Sequence, residues 1–228
     1  MSAPLTHRQI NQYLATLLPQ RHPEIVEMER IAAEGHFPII GPSVGVFCYL
    51  VARMTGAKRI FELGSGYGYS TAWFAMALRD NGGGEVHHTV WEESLSRQAR
   101  GHLEKMGLDR FVRFHVSEAV TALRTAGDGF DIIFNDIDKE GYPDSLPVIE
   151  SALREGGVLI IDNMLWGGDV LDGGNGEPAT VGILEFTRRI STSPLWVSSL
   201  VPIRDGIILA MKTPSGVLSS TLWSSEGL

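Results

Sequence analysis

Residues 59–71, RIFELGSGYGYST, decide how the rest of the chain is read. Arg59-Ile60-Phe61 predicts a short buried strand, Gly64, Gly66 and Gly68 a tight backbone turn, and Ser70-Thr71 the opening of a helix. Strand, glycine turn and helix in that order make a cradle for a nucleotide-like ligand. The glycines follow G-x-G-x-G and not the G-x-G-x-x-G of dinucleotide-binding turns, and an acid, Glu62, stands two residues before the first of them. Both features ask for a ligand that carries positive charge.

Outward from this stretch the pattern is regular. Strands are expected at 59–63, 86–91, 111–116, 130–134 and 158–161. Helical segments are expected between them at 71–78, 94–106 (stopped by Gly107), 118–123 and 143–153. Such alternation specifies a parallel, doubly wound α/β sheet. Before it, Thr6 and Gln9 fit a capping box whose helix carries Ile10, Tyr13, Leu14, Leu17 and Leu18 on one face up to Pro19. A second helix is expected from Pro23 to Gly35, and a third, capped by Ser43, runs through Val44 and Phe47 to Met54. After Ile161, a glycine-rich loop over 166–178 leads to a helix at 181–190 and two β-like runs, 196–201 and 207–211. The turn Arg204-Asp205-Gly206 is short enough for a hairpin, so the last strand should be antiparallel. The expected architecture is one domain over 1–212, with an added helical cover at about 1–56, seven strands, and a serine-rich tail at 213–228.

Composition narrows the function. The 228 residues are 43% hydrophobic and 20% charged, enough for one domain that buries roughly 70% of its unfolded surface. Nineteen basic against 27 acidic residues give a net charge of -8, with no basic patch to hold a phosphate backbone, so nucleic acid is a poor candidate partner. The single cysteine, Cys48, excludes an internal disulfide and a cysteine zinc cluster, and its apolar neighbours mark it as a buried hydrophobe. No signal-peptide pattern follows Met1 and no stretch approaches a membrane span of ~20 apolar residues, so a cytoplasmic protein off the membrane is expected.

In an open α/β sheet, ligands sit beyond the carboxyl ends of the strands. Those ends offer Glu62 with the glycine turn, Glu92, Ser117-Glu118 and Asn135-Asp136. An acidic edge repels a pyrophosphate. It suits S-adenosylmethionine, which has an amino group, a sulfonium and a ribose diol but no phosphate. Glu62 would offset the cationic end, Glu92 accept the ribose hydroxyls and Glu118 the adenine amino group.

Two further stretches deliver polar residues at strand ends. They are FDIIFNDIDKEGY (130–142) and GGVLIIDNMLWGG (156–168). If these strands are neighbours, Asp136, Asp162 and Asn163 can offer three oxygens to one hard cation such as Mg²⁺, Mn²⁺ or Ca²⁺. Taken singly, each residue is more commonly a polar strand end that caps a helix.

Together, ELGSGYGYS, FDIIFNDIDKEGY, IDNMLWGG and VPIRDGI resemble the successive motifs of the cation-dependent small-molecule O-methyltransferases, which include the catechol and caffeoyl-CoA O-methyltransferases. The resemblance covers about 36–212 and implies a Rossmann-like class I methyltransferase fold with an antiparallel last strand. It implies Asp136, Asp162 and Asn163 as metal ligands and Lys139 as catalytic base. Glu62, Gly64, Ser65, Gly66, Ser70, Glu92, Ser117, Glu118 and Asp136 would hold the cofactor, with Ile40 contributing main-chain groups. Either Glu92 or Glu93 fits the ribose position, because Asn81–Gly84 lengthens the preceding turn, and Asn135 replaces the family's usual hydrophobic residue. Asp138, Tyr142, Trp166 and Asp205 would face the acceptor, an aromatic vicinal diol, and the 167–178 loop would be its lid. A homodimer is expected, with the apolar stripe of the first helices lining either the acceptor site or the interface.

On this reading the cation lowers the pKa of the reacting hydroxyl and depresses that of Lys139, which takes the proton. Otherwise Lys139 is a surface residue paired with Asp138 or Glu140. Three rivals remain: a tRNA hydroxyuridine O-methyltransferase, a protein that binds the cofactor without catalysis, and a dehydrogenase. The first should show retention on tRNA with steep salt dependence. Intact Lys139 and an intact ligand trio speak against the second, and the glycine spacing and closing hairpin against the third.

Overall fold

The computed structural model describes residues 6–214. The tail expected from residue 213 lies outside these, apart from Thr213 and Pro214. Three helices precede the sheet, α1 (His7–Thr16), α2 (Pro23–Gly35) and α3 (Gly41–Met54). Then follow β1 (Arg59–Leu63), α4 (Tyr69–Asp80), β2 (Glu85–Val90), α5 (Glu93–Lys105), β3 (Val112–Val116), α6 (Ala119–Ala126) and β4 (Phe130–Asn135). The chain continues with α7 (Tyr142–Ala152), β5 (Leu153–Ile161), α8 (Pro178–Thr192), β6 (Trp196–Val201) and β7 (Ile207–Lys212).

The strands form one seven-stranded sheet in the order β3-β2-β1-β4-β5-β7-β6. The β1–β2, β1–β4, β2–β3 and β4–β5 pairs are parallel, and β7 runs antiparallel to both β5 and β6. Apolar residues cover both faces. One core packs Val44, Val51, Phe74, Leu78 and Ile132 beneath α3 and α4, and the other packs Phe61, Leu123, Ile133, Ile149 and Phe186 beneath α6, α7 and α8. Cys48 lies in the first as an inert buried thiol. No helix among the described residues is long and apolar enough to cross a membrane.

Several boundaries differ from expectation for local reasons. The third helix begins at Gly41, two residues before Ser43, because Pro42 fills the first turn where a missing N–H costs nothing. Trp91 falls just beyond β2, and β5 starts at Leu153, where α7 was expected to continue. Thr6 and Gln9 form the expected capping box. Among the described residues the stripe of α1 is only partly covered, since Leu14 and Leu18 are half-buried but Tyr13 and Leu17 are 64% and 61% exposed.

The strand order reverses between β1 and β4, and this places the crevice. Register pairs Leu63 with Asn135 and Asn135 with Ile161, so Gly64, Asp136 and Asp162 leave the sheet side by side. The approach is close enough to require glycine: Gly64 has φ +82°, and a Cβ there would sit 2.5 Å from the Asp136 carbonyl oxygen. Gly64→Ala should therefore cost about 2–4 kcal/mol, from left-handed backbone plus overpacking. A lowered urea midpoint checks this, and an unchanged midpoint would show that the β1 and β4 ends separate freely.

Candidate active site

A cavity of about 790 Å³ opens at the carboxyl edge of the sheet. One end is the glycine turn, where Gly64, Gly66 and Gly68 all have positive φ (+82°, +49° and +91°). Thr89 of β2 stitches this turn in place. Its Oγ1 donates to the Glu62 carbonyl (2.6 Å), its N–H to Ser65 Oγ (3.0 Å), and its carbonyl accepts from Ser65 N–H (2.9 Å). Ser65, Ser70, Ser117, Ile40 and Trp91 also line the cavity.

Glu62 is fully buried and is not among the lining residues. Thr71 Oγ1 donates to its Oε2 at 2.5 Å and lies 3.0 Å from His88 Nδ1, while Oε1 has no hydrogen-bond partner. Burial pushes the Glu62 carboxyl up to about 7; the hydroxyls of Ser70, Thr71 and Ser65 offset part of that, and nearby Asp136 adds to it. Burial also lowers His88, to about 3, so the imidazole beside Thr71 is neutral.

The other acids are disposed unequally. Glu92 is the exposed residue before α5 and does not line the cavity; its Oε2 accepts from Ser94 Oγ. Glu118 lines the cavity but caps α6, accepting from the N–H groups of Val120 (2.7 Å) and Thr121 (2.6 Å).

At the other end, Asp136, Asp138, Lys139, Asp162, Asn163 and Trp166 converge on the same cavity. Lys139 lies in a 3-10 turn (Lys139–Gly141) at 8% exposure. Its Nζ donates to Asp136 Oδ1 at 2.8 Å and to the Ile137 carbonyl at 3.1 Å, so its partner is neither Asp138 nor Glu140. Asp162 is buried with Oδ1 unpartnered. Burial and the adjacent Asp136 charge push its carboxyl up to about 7, and burial likewise raises Asp136 against the opposing pull of Lys139. Among the described residues no three His, Cys, Asp or Glu side chains cluster as a metal site, so a cation here depends on the Asn163 amide as third ligand.

Two residues expected to face the acceptor are placed elsewhere. Tyr142 is fully buried: its ring packs against Phe186 and its hydroxyl donates to the Asp162 carbonyl at 2.9 Å, so it supports the backbone at Asp162 from behind. Asp205 does not line the cavity, and accepts from Gly167 N–H (2.7 Å) and Asn163 Nδ2 (3.4 Å). An aromatic at the start of a helix and an acid in a turn are chemically suited to substrate and equally to these structural roles.

Residues 20–213 match a family model described as O-methyltransferase. The chain belongs to this O-methyltransferase family. A catechol O-methyltransferase of Niastella koreensis is 29% identical over 190 residues, 81% of this chain and 85% of that protein. Among solved structures, an O-methyltransferase from Bacillus cereus in complex with SAH is 28% identical, with a TM-score of 0.81 over 90% of this chain and 97% of the other. The O-methyltransferase TomG from Streptomyces achromogenes, in complex with SAM, is 26% identical with a TM-score of 0.80 over 90% and 96%. The expected methyltransferase fold, antiparallel closing strand included, is the one this O-methyltransferase has.

Sequence reasoning passed over several residues of the site. Thr89 carried no signal beyond its place at a strand end. Phe37, which meets Tyr67 edge-to-face at 5.0 Å, forms part of the wall just after α2. Gly182, alone within α8, was the detectable one, because an isolated helical glycine often marks close packing. A Cβ there would lie 2.3 Å from the Lys139 carbonyl oxygen.

Gly182→Ala should displace the Lys139 turn and lower turnover at least tenfold with the helix content unchanged. Equal turnover in the two proteins would show that Lys139 is positioned without α8. For Glu62 the sign follows from a folded pKa above the unfolded one. Ionising it costs stability, so stability is lost as pH rises from about 4.5 to about 7. Relative to Glu62→Gln, the wild-type protein should lose up to about 3 kcal/mol between pH 5 and 8 in urea titrations. Parallel losses would place the ionisation elsewhere.

Proposed function

We propose that this O-methyltransferase moves a methyl group from S-adenosylmethionine to one hydroxyl of an aromatic vicinal diol, with a divalent cation, Mg²⁺ or Mn²⁺, at the acceptor end. The observation that carries the reading is one cavity shared by the glycine turn at one end and Asp136, Lys139, Asp162 and Asn163 at the other. The donor set fits a hard cation, with two neighbouring carboxylates, an amide and a buried Asp162 oxygen that lacks a partner. The donor end fits a phosphate-free ligand, with Ser65, Ser70 and glycine backbone at its wall and an unpartnered Glu62 oxygen beneath it.

When bound, the donor supplies an electrophilic methyl carbon and the cation supplies Lewis acidity toward the hydroxyl. The remaining work falls to the chain. Asp136, Asp162 and Asn163 would hold the cation. Lys139 Nζ receives the hydroxyl proton: it is buried at the cavity, and its partner Asp136 is one of the residues assigned to the cation. Two rings flank the lysine, Tyr142 with its centroid 5.1 Å and Trp166 with its centroid 5.9 Å from Nζ. In-line transfer then needs alignment above all, which the fixed donor turn provides.

Neither α1 nor α2 contributes to the cavity wall. The exposed stripe of Ile10, Tyr13 and Leu17 is therefore free for a homodimer, which is part of the same proposal.

Incubation with S-adenosylmethionine and a panel of catechols should add one methyl by mass, and a chelator should abolish it. Transfer indifferent to chelation would overturn the metal assignment, and no transfer to any diol would overturn the acceptor. Lys139→Ala should cut turnover roughly 10²- to 10⁴-fold while leaving S-adenosylhomocysteine affinity intact. An equal loss of both would remove Lys139 from the role of base.

A further inference from the structure

Two cationic side chains line the cavity, Lys139 and Arg204. Lys139 is held by Asp136 at 2.8 Å. Arg204 is exposed, and among the described residues its guanidinium has one hydrogen bond, from Nη1 to the Ile39 carbonyl, and no carboxylate at salt-bridge distance, its charge acting on Asp136 and Asp162 only from further off. Most of a planar fork of donors therefore lies at the cavity unmatched.

Its backbone is equally informative. Arg204 has φ +53°, a left-handed conformation that glycine adopts without strain and arginine does not. Three of the four non-glycine residues with positive φ among those described are Asn163 (+59°), Trp166 (+47°) and Arg204, and all three line this cavity. Strain gathered at one mouth is characteristic of a functional site. Neighbouring contacts fix the hairpin turn. Leu165 N–H donates to the Asp205 carbonyl (2.8 Å), Met164 N–H to the Gly206 carbonyl (3.0 Å) and Gly167 N–H to Asp205 Oδ1 (2.7 Å). Arg204 is thereby carried on the wall that holds Asn163 and Trp166.

We infer that Arg204 is the carboxylate receptor of this cavity, its fork pairing with a carboxylate on a bound molecule. The favoured source is an acid group on the aromatic methyl acceptor, because the hairpin turn is tied to the Asn163–Gly167 segment; the other is the methionine tail of the donor. Guanidinium suits the task better than ammonium, since two parallel N–H groups match the two oxygens of a carboxylate. The lining residues Glu118, Asp136, Asp138, Glu140 and Asp162 otherwise make the cavity acidic, so an anionic acceptor would be repelled without Arg204. The inference rests on the diol reading only in its choice of probes.

Three ring diols of similar size test it: 3,4-dihydroxybenzoate, 3,4-dihydroxybenzamide and 3,4-dihydroxybenzylamine, given to wild-type, Arg204→Gln and Arg204→Lys enzyme. The wild-type enzyme should show its lowest KM for the acid. Arg204→Gln should raise that KM roughly 10- to 100-fold and leave the amide within about twofold, with kcat little changed; Arg204→Lys should restore part of the loss. If the carboxylate belongs to the donor, Arg204→Gln should instead weaken S-adenosylhomocysteine in calorimetry and spare 5′-methylthioadenosine, which lacks the tail. Equal shifts for all three diols and both nucleosides would reduce Arg204 to a strap on Ile39 and overturn the inference, as would no shift at all. If no diol is methylated, the acceptor reading fails by itself. Calorimetry of the acid against the amide on S-adenosylhomocysteine-loaded protein then decides the role of Arg204.

Discussion

The site depends on one constraint, the side-by-side exit of β1, β4 and β5 from the sheet. Because β4 is held in register between the other two, the residue after each strand end enters the same crevice: Gly64, Asp136 and Asp162. Gly64 must lack a side chain for its strand to approach Asp136 at all. The same proximity sets two carboxylates beside each other in a partly dry environment, where like charge and desolvation both oppose ionisation. Such a pair needs positive charge nearby, and Lys139 supplies it. The electrostatics of the acceptor end are thus a consequence of sheet topology.

That topology was legible because its signals are periodic and local. Alternating buried strands and amphipathic helices specify the parallel sheet, and Arg204-Asp205-Gly206 marks the hairpin that reverses β7. Placing an acid after each of four adjacent strands also located the crevice, since those ends do lie next to one another in the order β3-β2-β1-β4. Motif reading reached Asp136, Lys139, Asp162 and Asn163 for the same reason: each is a fixed number of residues beyond a strand whose register the core dictates.

Orientation was not legible. Glu62, Glu118, Tyr142 and Asp205 have chemistry that suits a ligand, yet the first lies beneath the turn, the second caps a helix, and the last two brace the backbone around Asp162 and Asn163. One residue type serves either purpose, and the choice is made by which backbone groups lie within reach. The partner of a close approach was hidden for a related reason. Gly182 and the Lys139 carbonyl are far apart in sequence, so no local pattern shows that a helix must press against the lysine turn. Arg204 stood inside a quoted motif, but only its backbone angle distinguishes it from an ordinary turn residue.

The Thr89 stitch divides the molecule into two parts with different freedom to vary. The glycine-turn end is bound into the sheet through four hydrogen bonds with Thr89 of the neighbouring strand, so a change there disturbs β1, β2 and the glycine turn together. The rim of the opposite end adds segments outside the sheet, the hairpin turn and the 163–167 stretch, which are hydrogen-bonded to one another. A lineage carrying this scaffold can therefore drift in what it methylates by single substitutions at the rim, while the capacity to transfer a methyl group is inherited nearly unchanged.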